Sequence, residues 1–190
     1  MRLKLYYLFI VLVGLGIATG CSDDDNDNDG PRIPVPIAGM SQAVLNQFNA
    51  QYPNAAGTRW SKDSIGVNDM YYVAEFIQAN YENDAWYTPS GTWAMTETDY
   101  EKNMFMIPAI VNTEFEKTEY AMGWTIDDID FYDYPDNGRD VYIIEVEKAG
   151  QPDTDVYIHQ VSTTEAKVVK VANHQNLNVR PTTVLFTPAK

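Results

Sequence analysis

One seven-residue pattern occurs twice in the chain. Tyr71-Tyr72-Val73-Ala74-Glu75-Phe76-Ile77 aligns, at an offset of 70, with Val141-Tyr142-Ile143-Ile144-Glu145-Val146-Glu147, and Tyr87 falls on Tyr157 at the same offset. Upstream, Val44 and Phe48 align with Val111 and Phe115, and Trp60 aligns with Trp124 after a small gap. Matches in one order predict tandem units of about 65 to 70 residues, each a single supersecondary assembly.

Each unit opens with a helical period. Val44, Phe48 and Tyr52 recur at i, i+4 and i+8 behind Ser41, a suitable N-cap, and Pro53 stops the run. Pro108 suits a first helical turn, Val111 and Phe115 continue that stripe, and the helix should end near Tyr120. The intervening segment from Thr98 to Met106 can add a short turn of helix.

The period then changes to two, which predicts strands near 58–64, 70–77, 84–89 and 92–97, and again near 123–133, 139–147, 154–161 and 165–172. Turn chemistry separates them: Asp136-Asn137-Gly138 is a hairpin signal, and Pro89-Ser90-Gly91 and Gly150-Gln151-Pro152-Asp153 serve similarly. Alternation puts Tyr72, Ala74 and Phe76, like Tyr142, Ile144 and Val146, on the face toward the helix. Val73, Glu75 and Ile77 point the other way. A unit of this size is marginal alone, so sharing of a core or sheet is physically reasonable. The expected class is α+β: two tandem units, residues 38–106 and 107–172, each a helix packed on a four-stranded antiparallel sheet whose other face is open. Residues 173–190 form a C-terminal extension.

Several features together resemble a known family. A helix ends in Tyr52-Pro53, the first strand bears Trp60, and a Tyr-x-x-x-Glu strand (Tyr71 to Glu75) has its counterpart in Val141 to Glu145. A hairpin carries Ser90, Gly91 and Trp93, and Pro108-Ala109-Ile110 follows. Over residues 38–172 this resembles the PepSY-like family, related in fold to the beta-lactamase inhibitor protein. The resemblance implies paired helix-plus-sheet modules of secreted and lipidated bacterial proteins, with no catalytic residues to carry over. The second unit departs from the first in having Thr163 near where the first has Trp93, and its hairpin from Ile126 to Asp140 is acidic.

The N-terminus reads as an address. Arg2 and Lys4 precede an apolar run from Leu5 to Ile17, then Ala18, Thr19, Gly20 and Cys21. That is the pattern of a signal peptide over residues 1–20, too short for a comfortable membrane span. Residues 18–21 resemble a bacterial lipobox, with Ala18 where that motif most often has Leu, which implies lipid on Cys21. Residues 21–37 are acidic and then Pro-rich, as suits a solvated tether. Ser22-Asp23-Asp24-Asp25 also resembles the export signal of Bacteroidetes lipoproteins, implying an outer-membrane, surface-exposed location. Asp25, Asp27, Asp29 and Gly30 start like a calcium loop, but the position needing glutamate is Pro36.

Composition removes most chemistries. Thirteen Lys and Arg stand against 27 Asp and Glu, a formal charge of −14, which disfavours nucleic acid. One cysteine and two histidines leave most catalytic constellations short of parts. His159 and His174 could ligate a metal with Asp153 or Asp155, but no HxH or HExxH spacing preorganises them, so both read as exposed histidines. Glu75 and Glu145, a conceivable glycosidase pair, sit at equivalent strand positions that repeat symmetry keeps apart. No nucleophile elbow or phosphate loop is present. No catalytic residue, metal or cofactor is assigned, and the chain is expected to be a non-enzymatic monomer held to the membrane through Cys21.

Aromatics make up 13% of the chain, more than a core alone requires. Tyr71, Trp86 or Tyr87, and Tyr157 alternate onto the face expected to be open. A binding surface of Tyr71, Glu75, Trp86, Tyr87, Trp93, Glu145 and Tyr157 follows, facing an unknown protein partner. The alternative partner is a glycan stacked on Trp86, Tyr87 or Trp93.

Overall fold

The computed structural model describes residues 36–65, 69–135, 140–175 and 177–185, all within one unit, Arg32–Lys190. The leader, Cys21, most of the tether and the Asp136-Asn137-Gly138 turn lie outside the described residues. In chain order the elements are α1 (Gln42–Gln51), β1 (Ala56–Ile65), β2 (Asp69–Gln78), β3 (Tyr81–Tyr87) and β4 (Trp93–Asp99). After a 3-10 turn at Met104–Met106 come α2 (Ala109–Glu116), a second 3-10 turn at Glu119–Ala121, β5 (Thr125–Asp133), β6 (Val141–Glu147), β7 (Thr154–Gln160) and β8 (Ala166–Asn173).

The expectation of two tandem units, each with its own four-stranded sheet, is overturned. Among the described residues, eight strands form one antiparallel sheet in the order β1 to β8, with two short helices. The join is β4 against β5, where Thr96, Glu97, Thr98 and Asp99 face Asp133, Tyr132, Phe131 and Asp130. The ladder runs one step further through Tyr100 N–H to Ile129 O at 2.9 Å. Two separate sheets would leave the rims of β4 and β5 with unpaired backbone groups; pairing them removes both edges.

Both helices pack on one face. Val44 and Phe48 of α1 are buried against Trp60, Tyr72, Ala74, Phe76, Ala85 and Tyr87. Phe48 meets Trp60 and Phe76 edge-on, with ring centroids 5.1 and 5.2 Å apart, a geometry that adds about 0.5–1.5 kcal/mol beyond area burial. Val111 and Phe115 of α2 are buried with Ile129, Tyr142, Ile144, Val146, Val156 and Ile158. Ser41 precedes α1 as expected, but its side chain does not cap the helix. Its hydroxyl donates instead to Pro89 O at 3.0 Å, tying the β3–β4 turn to the helix start. Among the described residues no helix is long and apolar enough to cross a membrane.

The opposite face is not open along its whole length, which is a second correction. Val73, Trp86, Met95, Tyr132, Tyr134, Val141, Ile143 and Tyr157 form an apolar cluster there, and Val179 and Leu185 of the C-terminal segment are buried in it. Arg180 Nε reaches Asp63 Oδ2 of β1 at 3.0 Å, and His174 Nδ1 reaches Asp155 Oδ1 of β7 at 2.8 Å. The C-terminal segment is thus fixed to strands near both ends of the sheet.

Candidate functional site

Register turns a scattered set of acids into rows on the face away from the helices. Glu75 of β2 stands opposite Asp84 of β3, which stands opposite Glu97 of β4. Two residues along, Glu82, Asp99 and Asp130 are aligned on β3, β4 and β5. Further across, Asp128, Glu145 and Asp155 are aligned on β5, β6 and β7. Like charges at directly opposed positions destabilise a sheet by about 0.2–1 kcal/mol each. A chain that keeps nine of them on one face breaks a local rule, and such breaks concentrate at functional surfaces.

The electrostatics follow from the rows. Burial, and then the nearby Glu75 and Glu82 carboxylates, push Asp84 up to about 6 against the opposing pull of Arg59. Burial and Asp84 push Glu97 up to about 7, although the Tyr132 hydroxyl donates to its Oε1 at 3.1 Å. Arg59 lies 3.4 Å from Glu75 Oε2, and both side chains are well exposed, so this pair is weak. Beside it a cleft of about 210 Å³ is lined by Gly57, Arg59, Glu75, Ile77, Glu82 and Asp84, with Phe76 and Asn83.

Five of the seven candidate residues share this face and two do not. Tyr71, Glu75, Trp86, Glu145 and Tyr157 lie on it. Tyr87 and Trp93 belong to the helix side. Tyr87 is fully buried, its hydroxyl donating to Gln51 Oε1 of α1 at 3.2 Å. The Trp93 indole donates to Thr96 Oγ1 at 2.9 Å. Trp86 and Tyr157 are on the expected face but are 5% and 1% exposed, inside the cluster that the C-terminal segment covers. Lys170 Nζ lies 4.4 Å from the Tyr157 ring centroid. Of the seven, Glu75 keeps about half of its side chain exposed, Tyr71, Trp93 and Glu145 are partly buried, and Trp86, Tyr87 and Tyr157 are buried.

The expectation of exposed histidines is also corrected. His159 is 3% exposed, and burial, then Lys167, hold its imidazole below the ordinary value. His174 is partly buried between Asp155 and Glu145. Glu75 and Glu145 sit on strands four spacings apart, about 19 Å along the sheet, outside the separation that glycoside hydrolysis needs.

Residues 70–165, which contain β3 to β7 and nearly all of β2, match the sequence profile of the family described as "beta-lactamase-inhibitor-like, PepSY-like", and the chain belongs to that family. Among solved structures it is similar to a BLIP-like protein from Bacteroides fragilis NCTC 9343, at 24% identity and TM-score 0.60, covering 76% of this chain and 94% of that one. It is similar to a DUF2874 family protein from Bacteroides ovatus ATCC 8483, at 23% identity and TM-score 0.61, covering 77% and 97%. A third, from Bacteroides eggerthii DSM 20697 and described as periplasmic, has 25% identity and TM-score 0.56, covering 70% and 88%. No curated protein matches the sequence.

Proposed function

We propose that the protein is a non-enzymatic, inhibitor-like binding module of the cell envelope, tethered by lipid on Cys21 at the outer membrane surface, and that its acidic sheet face receives a basic protein surface. The observation that carries this reading is the set of opposed carboxylates on β2 to β5, Glu75, Asp84 and Glu97 foremost. The family, the description of the eggerthii relative as periplasmic and the lipobox-like Ala18 to Cys21 segment support the setting. A partner's Lys and Arg would relieve the repulsion that the sheet carries alone, and its approach would be steered at long range. The glycan alternative loses support, because Trp86 and Tyr87 are buried and the Trp93 indole is committed to Thr96.

The test is capture from envelope extracts at low and high salt with the wild type, with a Glu75→Lys, Asp84→Lys, Glu97→Lys variant, and with Glu116→Lys on α2 as control. A partner with a basic surface should bind the wild type and the control, elute as salt rises, and be lost with the triple variant. Equal capture by all three proteins would sink the acidic-face reading.

A further inference from the structure

Glu145 of β6 and Asp155 of β7 are direct cross-strand partners. Asp155 is only 3% exposed, so two carboxylates are opposed where water does little to screen them. His174, the first residue after β8, completes the group. Its backbone N–H donates to Asp153 O at 2.7 Å, which sets the ring's position from the sheet. Its Nδ1 lies 2.8 Å from Asp155 Oδ1 and 3.3 Å from Glu145 Oε2. The three donor atoms lie within 4.8 Å of one another. The second Asp155 oxygen, Oδ2, is 3.4 Å from the Tyr157 hydroxyl, the outer contact that orients a ligating carboxylate.

Charge is unbalanced in this group. Two carboxylates face one imidazole, which supplies at most one positive charge, and Asp127 and Asp128 add negative potential around Glu145. The geometry points to a divalent metal site of the zinc class, with Glu145, Asp155 and His174 each giving one ligand atom and a remaining position left to water. Zinc bonds of about 2.0–2.2 Å place tetrahedral ligand atoms about 3.3 Å apart, close to the spacing between the imidazole nitrogen and the two carboxylates. One imidazole with two carboxylates suits zinc better than calcium or magnesium, which take oxygen alone. Bound metal would clip the root of the C-terminal segment to β6 and β7. The second acidic group, Asp99, Asp128 and Asp130, has carboxylates only and serves as the control.

Isothermal titration of the full mature chain, free of any affinity tag, with zinc chloride tests the site. The wild type should take up one equivalent and show a higher Tm that EDTA reverses. His174→Ala and Asp155→Asn should bind at least tenfold more weakly, and Asp99→Asn should match the wild type. Absence of uptake at millimolar zinc, uptake unchanged by His174→Ala, or preference for calcium or magnesium would each overturn the assignment. If the His174 variant fails to fold, zinc X-ray absorption on the wild type decides. One imidazole among oxygen ligands supports the site, and a shell without imidazole removes it.

Discussion

Tyr132 donates its hydroxyl to Glu97 Oε1 at 3.1 Å directly across the β4–β5 pairing, where the two halves of the sheet are joined. The bond favours the ionised carboxylate, yet Glu97 is still pushed up to about 7, because burial and Asp84 outweigh it. The join therefore carries a carboxyl group that is partly protonated at neutral pH.

The protonation has a definite sign for stability. Glu97 and Asp84 have folded-state values of about 7 and about 6, above the unfolded values of about 4. The folded chain binds more protons between them, so the stabilisation is complete below about pH 4 and is lost as pH rises through 6 and 7. Urea unfolding should show greater stability at pH 5 than at pH 8. Glu97→Gln should flatten that slope and stabilise the protein by about 1–2 kcal/mol at pH 8, after allowing for solvent screening. A variant that is less stable than the wild type at pH 8 contradicts the assignment.

Gly91→Ala should destabilise the fold although the residue is in a turn. Its φ is +90°, and an added Cβ would lie 2.8–2.9 Å from the Ala43 backbone of α1. Backbone strain of this kind costs about 1–3 kcal/mol, and the helix start must also shift. The midpoint of chemical denaturation reads the loss; a midpoint within error of the wild type would show that the turn does not pack on the helix as described.

Tyr87 and Glu75 should separate by type of defect. Tyr87→Ala empties a site under α1 and should cost about 3–5 kcal/mol of stability. Glu75→Lys, on the exposed face, should leave the denaturation midpoint nearly unchanged while weakening capture of a basic partner. Loss of capture by a well-folded Tyr87→Ala protein would return Tyr87 to the binding surface.

The envelope address is checked by fractionation and protease shaving of intact cells. Cys21→Ser should release the protein or strand its precursor. Replacing Asp23, Asp24 and Asp25 should leave it lipidated but protected from external protease. Equal shaving of wild type and the aspartate-less variant removes the export reading and leaves the tether intact.

Local period carried much of this architecture. Each observed strand begins and ends within three residues of its expected range, because alternation is a property of neighbouring residues. The same alternation sorted Tyr72, Ala74 and Phe76 from Val73 and Glu75. The joining of β4 to β5 was not legible, since the residues between them carry no signal of which edges meet. Trp86 and Tyr87 could not be separated either: they are adjacent aromatics, and the β3–β4 register shifts between them. The acid rows needed register as well as alternation. On β2 and β3 that register is set by a tight turn at Ala79-Asn80, with φ of 52° and 70°, an unusual conformation for alanine. The C-terminal cover was invisible because Val179 and Leu185 are six residues apart without a period.

That cover also has a place in time. Ribosomes deliver a chain N-terminus first, so Val179 and Leu185 reach the sheet after every strand that they shield. A nascent or exported chain that has not yet delivered Val179 and Leu185 would leave Val73, Trp86, Met95 and Ile143 without that cover. Arrival of the segment after β8, rather than formation of the sheet, is what withdraws this surface from holdases and from other unfinished copies.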